Sequence, residues 1–171
     1  METPPHFFYN PNAYTLGIIK QLEGTCQCCK QQRPYIYQGN FYSHETIDLL
    51  CPWCIADGSA AEKFDGSFVE DFADDQPVSE ESGEAVSTRT PGYSSWQGAI
   101  WLSHCGEACV FRGYVGREEV AAMWQEVLPD ILASGWNTED LQNYLSQDGS
   151  MIGYLFQCPT CSQHRLHIDS D

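Results

Sequence analysis

Apolar positions along this chain follow two different periods. In "EEVAAMWQEVL", Val120, Met123, Trp124 and Val127 recur at steps of three and four residues. That spacing lines one face of a helix starting near Glu118, which Pro129 should bend or end. "NTEDLQNYLS" predicts a second helix, capped by Asn137 or Thr138 and carrying acids in its first turn. "GAIWLSH", "CVFRGYVG" and "MIGYLFQCP" are short apolar runs between turn residues and read as strands. Upstream, "RPYIYQGNFYS" alternates aromatic and β-branched residues around Gly39-Asn40, a hairpin pattern. "IADGSAAEKF", after Cys54, predicts a short helix capped by Asp57 and Ser59. Residues 1–24 are rich in Pro, Asn and Tyr and read as an extended arm packed through Phe7, Phe8 and Tyr9.

These elements describe an α+β fold of short antiparallel strands and two or three helices. Residues 65–92 differ in character: Asp, Glu, Ser, Gly and Pro dominate, the composition of an acidic connector. The chain therefore divides into residues 1–64, an arm with a first cysteine module, a connector at 65–92, and residues 93–171, a second cysteine module with a helical insertion. At 171 residues the three parts together make one compact unit with a real core. No fixed-period repeat is visible.

Charge narrows the function classes. With 24 acidic and 8 basic residues, the formal net charge is −16. Phosphate binding draws on Lys and Arg, so nucleic acid and anionic membrane surfaces are disfavoured partners. A basic protein partner, or solubility alone, fits the charge. The N-terminal stretch has no basic n-region and no long apolar run, and no window reaches the ~18 apolar residues of a membrane span. The expectation is a cytoplasmic protein with no membrane insertion, in a compartment where thiols stay reduced.

The nine cysteines carry the chemistry. Cys26 and Cys29, Cys51 and Cys54, and Cys158 and Cys161 are C-x-x-C pairs, while Cys105 and Cys109 are C-x-x-x-C. A tight turn at this spacing aims two thiolates at one ion, and two turns complete a tetrahedron with Zn–S of about 2.3 Å. Sequential pairing puts Cys26, Cys29, Cys51 and Cys54 around one structural zinc and Cys105, Cys109, Cys158 and Cys161 around a second. A cross-braced arrangement, first pair with third and second with fourth, satisfies the same donor count. Substitution of a cysteine by His104 or His164 is a further alternative, and Cys28 is left over as a small spectator or a spare ligand.

"CPWC" ahead of a helix also resembles a thioredoxin-type redox dithiol. That reading needs a strand of a βαβ unit upstream and no other thiols nearby. Here the upstream segment holds another cysteine knuckle, so zinc is preferred. Four thiolates would close the coordination sphere and favour a structural role over catalysis. No P-loop, dinucleotide fingerprint, nucleophile elbow or H-E-x-x-H motif is present.

"CQCCK", "RPYIYQGNFYS", "LCPWCIADGSAAEKFDGSF", "TRTPGYSSWQGAIWLSHCGEAC" and "GYLFQCPTC" together resemble the CbrC family of bacterial proteins, from about residue 6 to residue 168. Lys30 stands where that pattern would have Gly after the second cysteine, and "RPYIY" departs from a more usual Arg-Gly. The resemblance transfers no catalytic residue. It implies zinc binding and a link to colicin tolerance or envelope stress. The leading expectation is thus a non-enzymatic zinc protein acting through protein contacts, with a zinc enzyme using an open second site near His104 as the alternative.

Overall fold

A computed structural model describes residues 3–73 and 75–171. The chain enters through an irregular arm whose Phe7 is buried and whose Tyr9 packs half-buried against the main core, while Phe8 is 60% exposed, so the aromatic run anchors by two rings rather than three. The arm gives way to β1 (Ile19–Thr25), earlier than its composition suggests. β1 pairs antiparallel with β2 (Gln32–Tyr37), and the six residues 26–31 between them form the first knuckle. The hairpin expected around Gly39-Asn40 is therefore displaced: β2 finds its partner upstream. Past Gly39 the chain leaves the sheet to bridge Tyr42 with Ser67.

α1 (Pro52–Ala56) begins with proline at its first position, where no amide is needed. Gly58, at φ 80°, breaks the path before α2 (Ser59–Phe64), so one expected helix becomes two. The N-cap position falls to Gly58 rather than to Asp57 or Ser59, although Asp57 Oδ1 still accepts from Ser59 N at 2.9 Å. The acidic stretch is more than a connector. Phe68 and Val69 are buried, β3 (Asp71–Phe72) follows, and α3 (Glu80–Arg89) buries Ser82 and Val86. Ser79 caps α3 by accepting from Ser82 N.

β4 (Ile100–Trp101) pairs parallel with β3, a small crossover around α3. Next comes a tight hairpin of β5 (Ser103–His104) and β6 (Glu107–Ala108), closed by Cys105 and Gly106. Both loop residues have positive φ, 55° and 77°, the conformation of the mirror-image turn that suits two-residue hairpins. β7 (Val110–Val115) starts a three-stranded antiparallel sheet that resumes after three helices. α4 (Arg117–Ala121) and α5 (Trp124–Ser134) interrupt the expected single helix at Ala122 and Met123. α5 runs through Pro129 to Ser134, and Gly135 at φ 77° ends it. α6 (Thr138–Tyr144) is capped by Asn137, whose Oδ1 accepts from Glu139 N at 2.8 Å. β8 (Met151–Gln157) and β9 (His164–Ser170) then complete the sheet in the order β7-β8-β9, with the second knuckle at their turn.

Alternation along β8 splits the protein's interior into two clusters. Tyr154 and Phe156 face one way and join Tyr93, Trp101 and Phe111. Tyr93 lies 4.7 Å from the rings of both Phe111 and Tyr154. Leu155 faces the other way and joins Val120, Val127, Ile131 and Leu141 of the three helices. Burying each large apolar side chain stabilises the fold by about 1.5–3 kcal/mol. The outer strands are covered too: Tyr9 O accepts from Phe111 N on β7, and Asp130 accepts from Leu166 N on β9. Covered edges of this kind limit strand pairing between molecules. Among the described residues, no helix is long and apolar enough to cross a membrane.

Candidate metal centres

The first centre gathers Cys26, Cys29, Cys51 and Cys54, whose sulfurs all lie within 4.8 Å of one another. The knuckle at residues 26–31 is built by two backbone bonds: Cys26 N donates to Gln31 O at 2.9 Å and Lys30 N to Cys26 O at 2.9 Å. Closing that loop needs a left-handed residue, and Lys30 supplies it at φ 61° without being glycine. The other two sulfurs come from α1. Cys51 is its N-cap and Cys54 sits in its first turn, so both side chains project from the same end of the helix. Cys26 Sγ is 4.0 Å from Cys54 Sγ, and Cys29 Sγ is 4.0 Å from Cys51 Sγ.

The second centre gathers His104, Cys105, Cys158 and Cys161. Its knuckle repeats the first. Cys158 N donates to Gln163 O at 2.9 Å, Ser162 N donates to Cys158 O at 3.0 Å, and Ser162 is left-handed at φ 65°. His104 Nδ1 stands 3.2 Å from Cys105 Sγ and 3.3 Å from Cys161 Sγ. Pairing in both centres is sequential.

These distances suit a metal ion and exclude disulfides. Ligands at about 2.3 Å in a tetrahedron leave sulfurs about 3.8 Å apart, close to the 4.0 Å found. A disulfide would need sulfurs at about 2.05 Å, and all nine thiols are free. Thiol acidities point the same way. Cys26 is held down to about 4 by its hydrogen bond with Cys51, while Cys51 is pushed up by that same bond and by burial. Burial pushes Cys54 up to about 12. Cys158 is opposed by burial but held down to about 6 by the Cys161 amide and a contact with His104, while Cys105 is raised to about 11 by its neighbouring sulfurs. Each cluster of bare thiols thus stabilises one anion and resists further ionisation. A dication at the centre removes that resistance.

A family model described as "Uncharacterised protein family (UPF0167)" matches residues 4–170. The chain belongs to this family. A UPF0167 protein of Mycobacterium bovis is 38% identical over 178 residues, covering 96% of this chain and 92% of its own. One of Pseudomonas aeruginosa is 40% identical over 172 residues, covering 96% of each. No solved structure matches the chain.

Of the eight cysteines read as ligands, seven lie in the two groups and Cys109 does not. The reason is the turn. Cys105 occupies the hairpin tip, whereas Cys109 lies past β6 on the returning strand, its amide bonded to Leu102 O at 2.9 Å. Gly106 turns the chain at the tip, and the extended residues Glu107 and Ala108 then carry the second sulfur away at about 3.4 Å per residue. Cys109 is buried instead in the main core, pushed up to about 12 by that burial, and its carbonyl accepts from Trp101 Nε1 at 2.8 Å. His104 takes the fourth corner. A readable signal was the "HCG" triplet, because Gly after Cys105 permits the tight turn that turns both neighbours to one side.

The remaining candidates have structural partners. His164 Nδ1 lies 2.9 Å from Glu126 Oε2, and His167 stacks on Tyr154 at 5.9 Å between centroids. Cys28 Sγ contacts Ser59 Oγ at 3.6 Å, and Lys63 Nζ donates to the Cys28 carbonyl. Trp53 carries the Arg33 guanidinium over its ring at 4.7 Å. The cysteines of "CPWC" are gathered with Cys26 and Cys29 and do not stand as a lone dithiol. Cys51 and Cys54 are both buried and both raised in pKa, the opposite of an exposed, acidic attacking thiol.

Proposed function

We propose that the chain is a zinc protein of the CbrC type that does no chemistry at its metal and works through contacts with a basic protein partner in a thiol-reducing, cytoplasmic setting. One observation supports this above the rest: each centre already has four protein donors. Catalytic zinc keeps a position for water or substrate, and these spheres have none to spare. Against the alternative of an enzyme with His104 beside an open zinc stands the placement of His104 within the four-donor group itself. The −16 charge supports a basic partner, whose association it would accelerate. A role in colicin tolerance or envelope stress is what the CbrC resemblance adds to this reading.

X-ray absorption on zinc-loaded protein tests it. Sulfur with a minority of nitrogen, and no oxygen, is expected around the metal. A bound water at either ion would restore the enzyme. Calorimetry against a basic nuclease domain tests the partner. Binding that weakens with salt is expected, and heat-silent mixing at low salt removes that part of the proposal.

A further inference from the structure

We propose that the second centre is an exchangeable divalent-metal site, filled and emptied while the first keeps its ion. This rests on the zinc reading above and goes beyond it by giving the two centres different jobs.

Access is the first difference. Cys105 and Cys161 are both exposed. In the first centre Cys26 and Cys51 are 0% exposed and Cys54 4%. Zinc leaves a thiolate site when an incoming donor reaches the ion; the first centre offers only the half-buried Cys29 to solvent, whereas the second presents two exposed sulfurs.

The second difference is what would happen after release. The elements meeting at the second centre are tied together independently of any ion. Arg165 on β9 donates through Nη1 to Ser103 O on β5 at 2.6 Å, and through Nε to both carboxylate oxygens of Asp130 on α5 at 3.0 Å. Its Nη2 also bonds Asp130 and Asp75. Glu126 of α5 accepts from His164 N at 2.9 Å, at the exit of the knuckle, while Gln163 donates back to Glu126 O at 3.1 Å. Hairpin, knuckle and helix therefore stay in register when the metal goes, and the exposed freed sulfurs can be hydrated. In the first centre three of the four sulfurs, those of Cys26, Cys51 and Cys54, are packed into the main core beside Leu50 and Ile55, with Cys29 half-buried at its edge, so emptying it strands three thiols away from water. The surface charge of −16 favours capture of a dication from dilute solution.

Exchange needs no oxidant. Three Zn–S bonds and one Zn–N bond break, bonds to the incoming donors form, and the freed sulfurs take protons from water.

The test follows zinc release from the full chain loaded with zinc, on adding EDTA, with near-UV circular dichroism read in parallel. The expected result is two phases of equal amplitude, the first faster by about tenfold or more, with the aromatic dichroism unchanged until the second. Iodoacetamide added between the phases should alkylate Cys105 and Cys161 and spare Cys26, Cys29, Cys51 and Cys54. Cys105→Ser should lose the fast phase and keep the slow one. If that variant does not fold, the alkylation pattern of the unaltered chain decides alone. A single phase that carries the dichroism away with it, or alkylation that falls first on Cys51 and Cys54, overturns the inference while leaving two zinc sites intact. A chain that starts with no zinc and gives no thiolate-to-cobalt absorption when offered Co²⁺ overturns the zinc reading as well, and is told apart by its metal content before any chelator is added.

Discussion

The two metal centres share half of their construction and differ in the other half. Both begin with a six-residue knuckle closing a hairpin: Thr25 faces Gln32 in one, and Gln157 faces His164 in the other. Both knuckles use the same pair of backbone bonds and the same left-handed residue. Yet the first is completed by a helix N-terminus inside the main core, the second by a hairpin tip at the surface. The comparison teaches that a knuckle is a local object, set by a few neighbouring residues, whereas the partner that completes it is chosen by tertiary structure. Partner choice then decides burial, and on the exchange proposal burial decides whether an ion would be a staple or a visitor.

The largest expected effect comes from attacking the staple. Cys51→Ser removes a fully buried ligand, and zinc binding at a structural site is folding free energy. The loss should match or exceed the roughly 5 kcal/mol that marks the low end of a domain's stability. Loss of the cooperative thermal transition, with zinc content down by at least one ion per chain, is the expected readout. Cys105→Ser should lose one ion and keep its transition. Equal damage from the two would erase the contrast drawn between the centres.

Next in size is the ion-free bracing of the second centre. Arg165 is buried and bonded to Asp130, Asp75 and Ser103 O. Arg165→Leu leaves Asp130 without its main partner beneath α5, and breaking a buried pair in this way costs about 3–5 kcal/mol. Urea melts of the variant and the unaltered chain measure it. The Arg165→Leu variant should also lose its metal-free integrity: removing metal from the second centre should now disturb the near-UV signal. If chelation remains silent there, the bracing is not what holds the emptied site.

A third effect is smaller and lies between the centres. Trp101 Nε1 donates to the carbonyl of Cys109, and Trp101→Phe leaves that buried acceptor unpaired. About 1–3 kcal/mol is the usual cost of such an orphan. A change well under that range, measured by urea melts, would mean that Cys109 has another way to satisfy its carbonyl.

The same local-versus-tertiary distinction explains what could be read from the amino acids alone. Asn137 caps α6 because its side chain needs only the amide two residues on. Cys26 with Cys29, and Cys158 with Cys161, declare themselves because each pair lies within one turn. The strands holding "CVFRGYVG" and "MIGYLFQCP" were legible by pattern for the same reason. What failed were features decided at a distance. The strand Ile19–Thr25 was hidden inside an apparent arm, because its partner lies beyond the cysteines. α3 looked like an acidic linker, since only Ser82 and Val86 are buried and its other face is solvated. Of the two readings of Pro129, a bend or an end, the end fails: α5 continues through it, packed by Val127 and Ile131 in the helical core cluster. His104 displaced Cys109 because a two-residue turn, rather than the count between cysteines, places the sulfurs.

The finest prediction returns to the knuckles. Lys30 and Ser162 each hold a left-handed conformation that costs an L-residue about 1–2 kcal/mol, at φ 61° and 65°. Glycine would remove that cost but lose about 0.5–1 kcal/mol through the freedom it gains in the unfolded chain. Lys30→Gly and Ser162→Gly should therefore each stabilise the zinc-loaded protein, by about 0.5 kcal/mol, and by similar amounts because the two turns are built alike. Paired chemical melts on zinc-saturated protein resolve the sign. Stabilisation at Ser162 with loss at Lys30 would show that the lysine side chain contributes something its turn does not require, for instance by offsetting the negative charge that four thiolates leave on the buried centre. Lys30→Asn separates the two contributions, since asparagine tolerates the left-handed region while carrying no charge: a deficit in the glycine variant alone assigns the effect to backbone freedom, and a deficit shared by both variants assigns it to the lost ammonium.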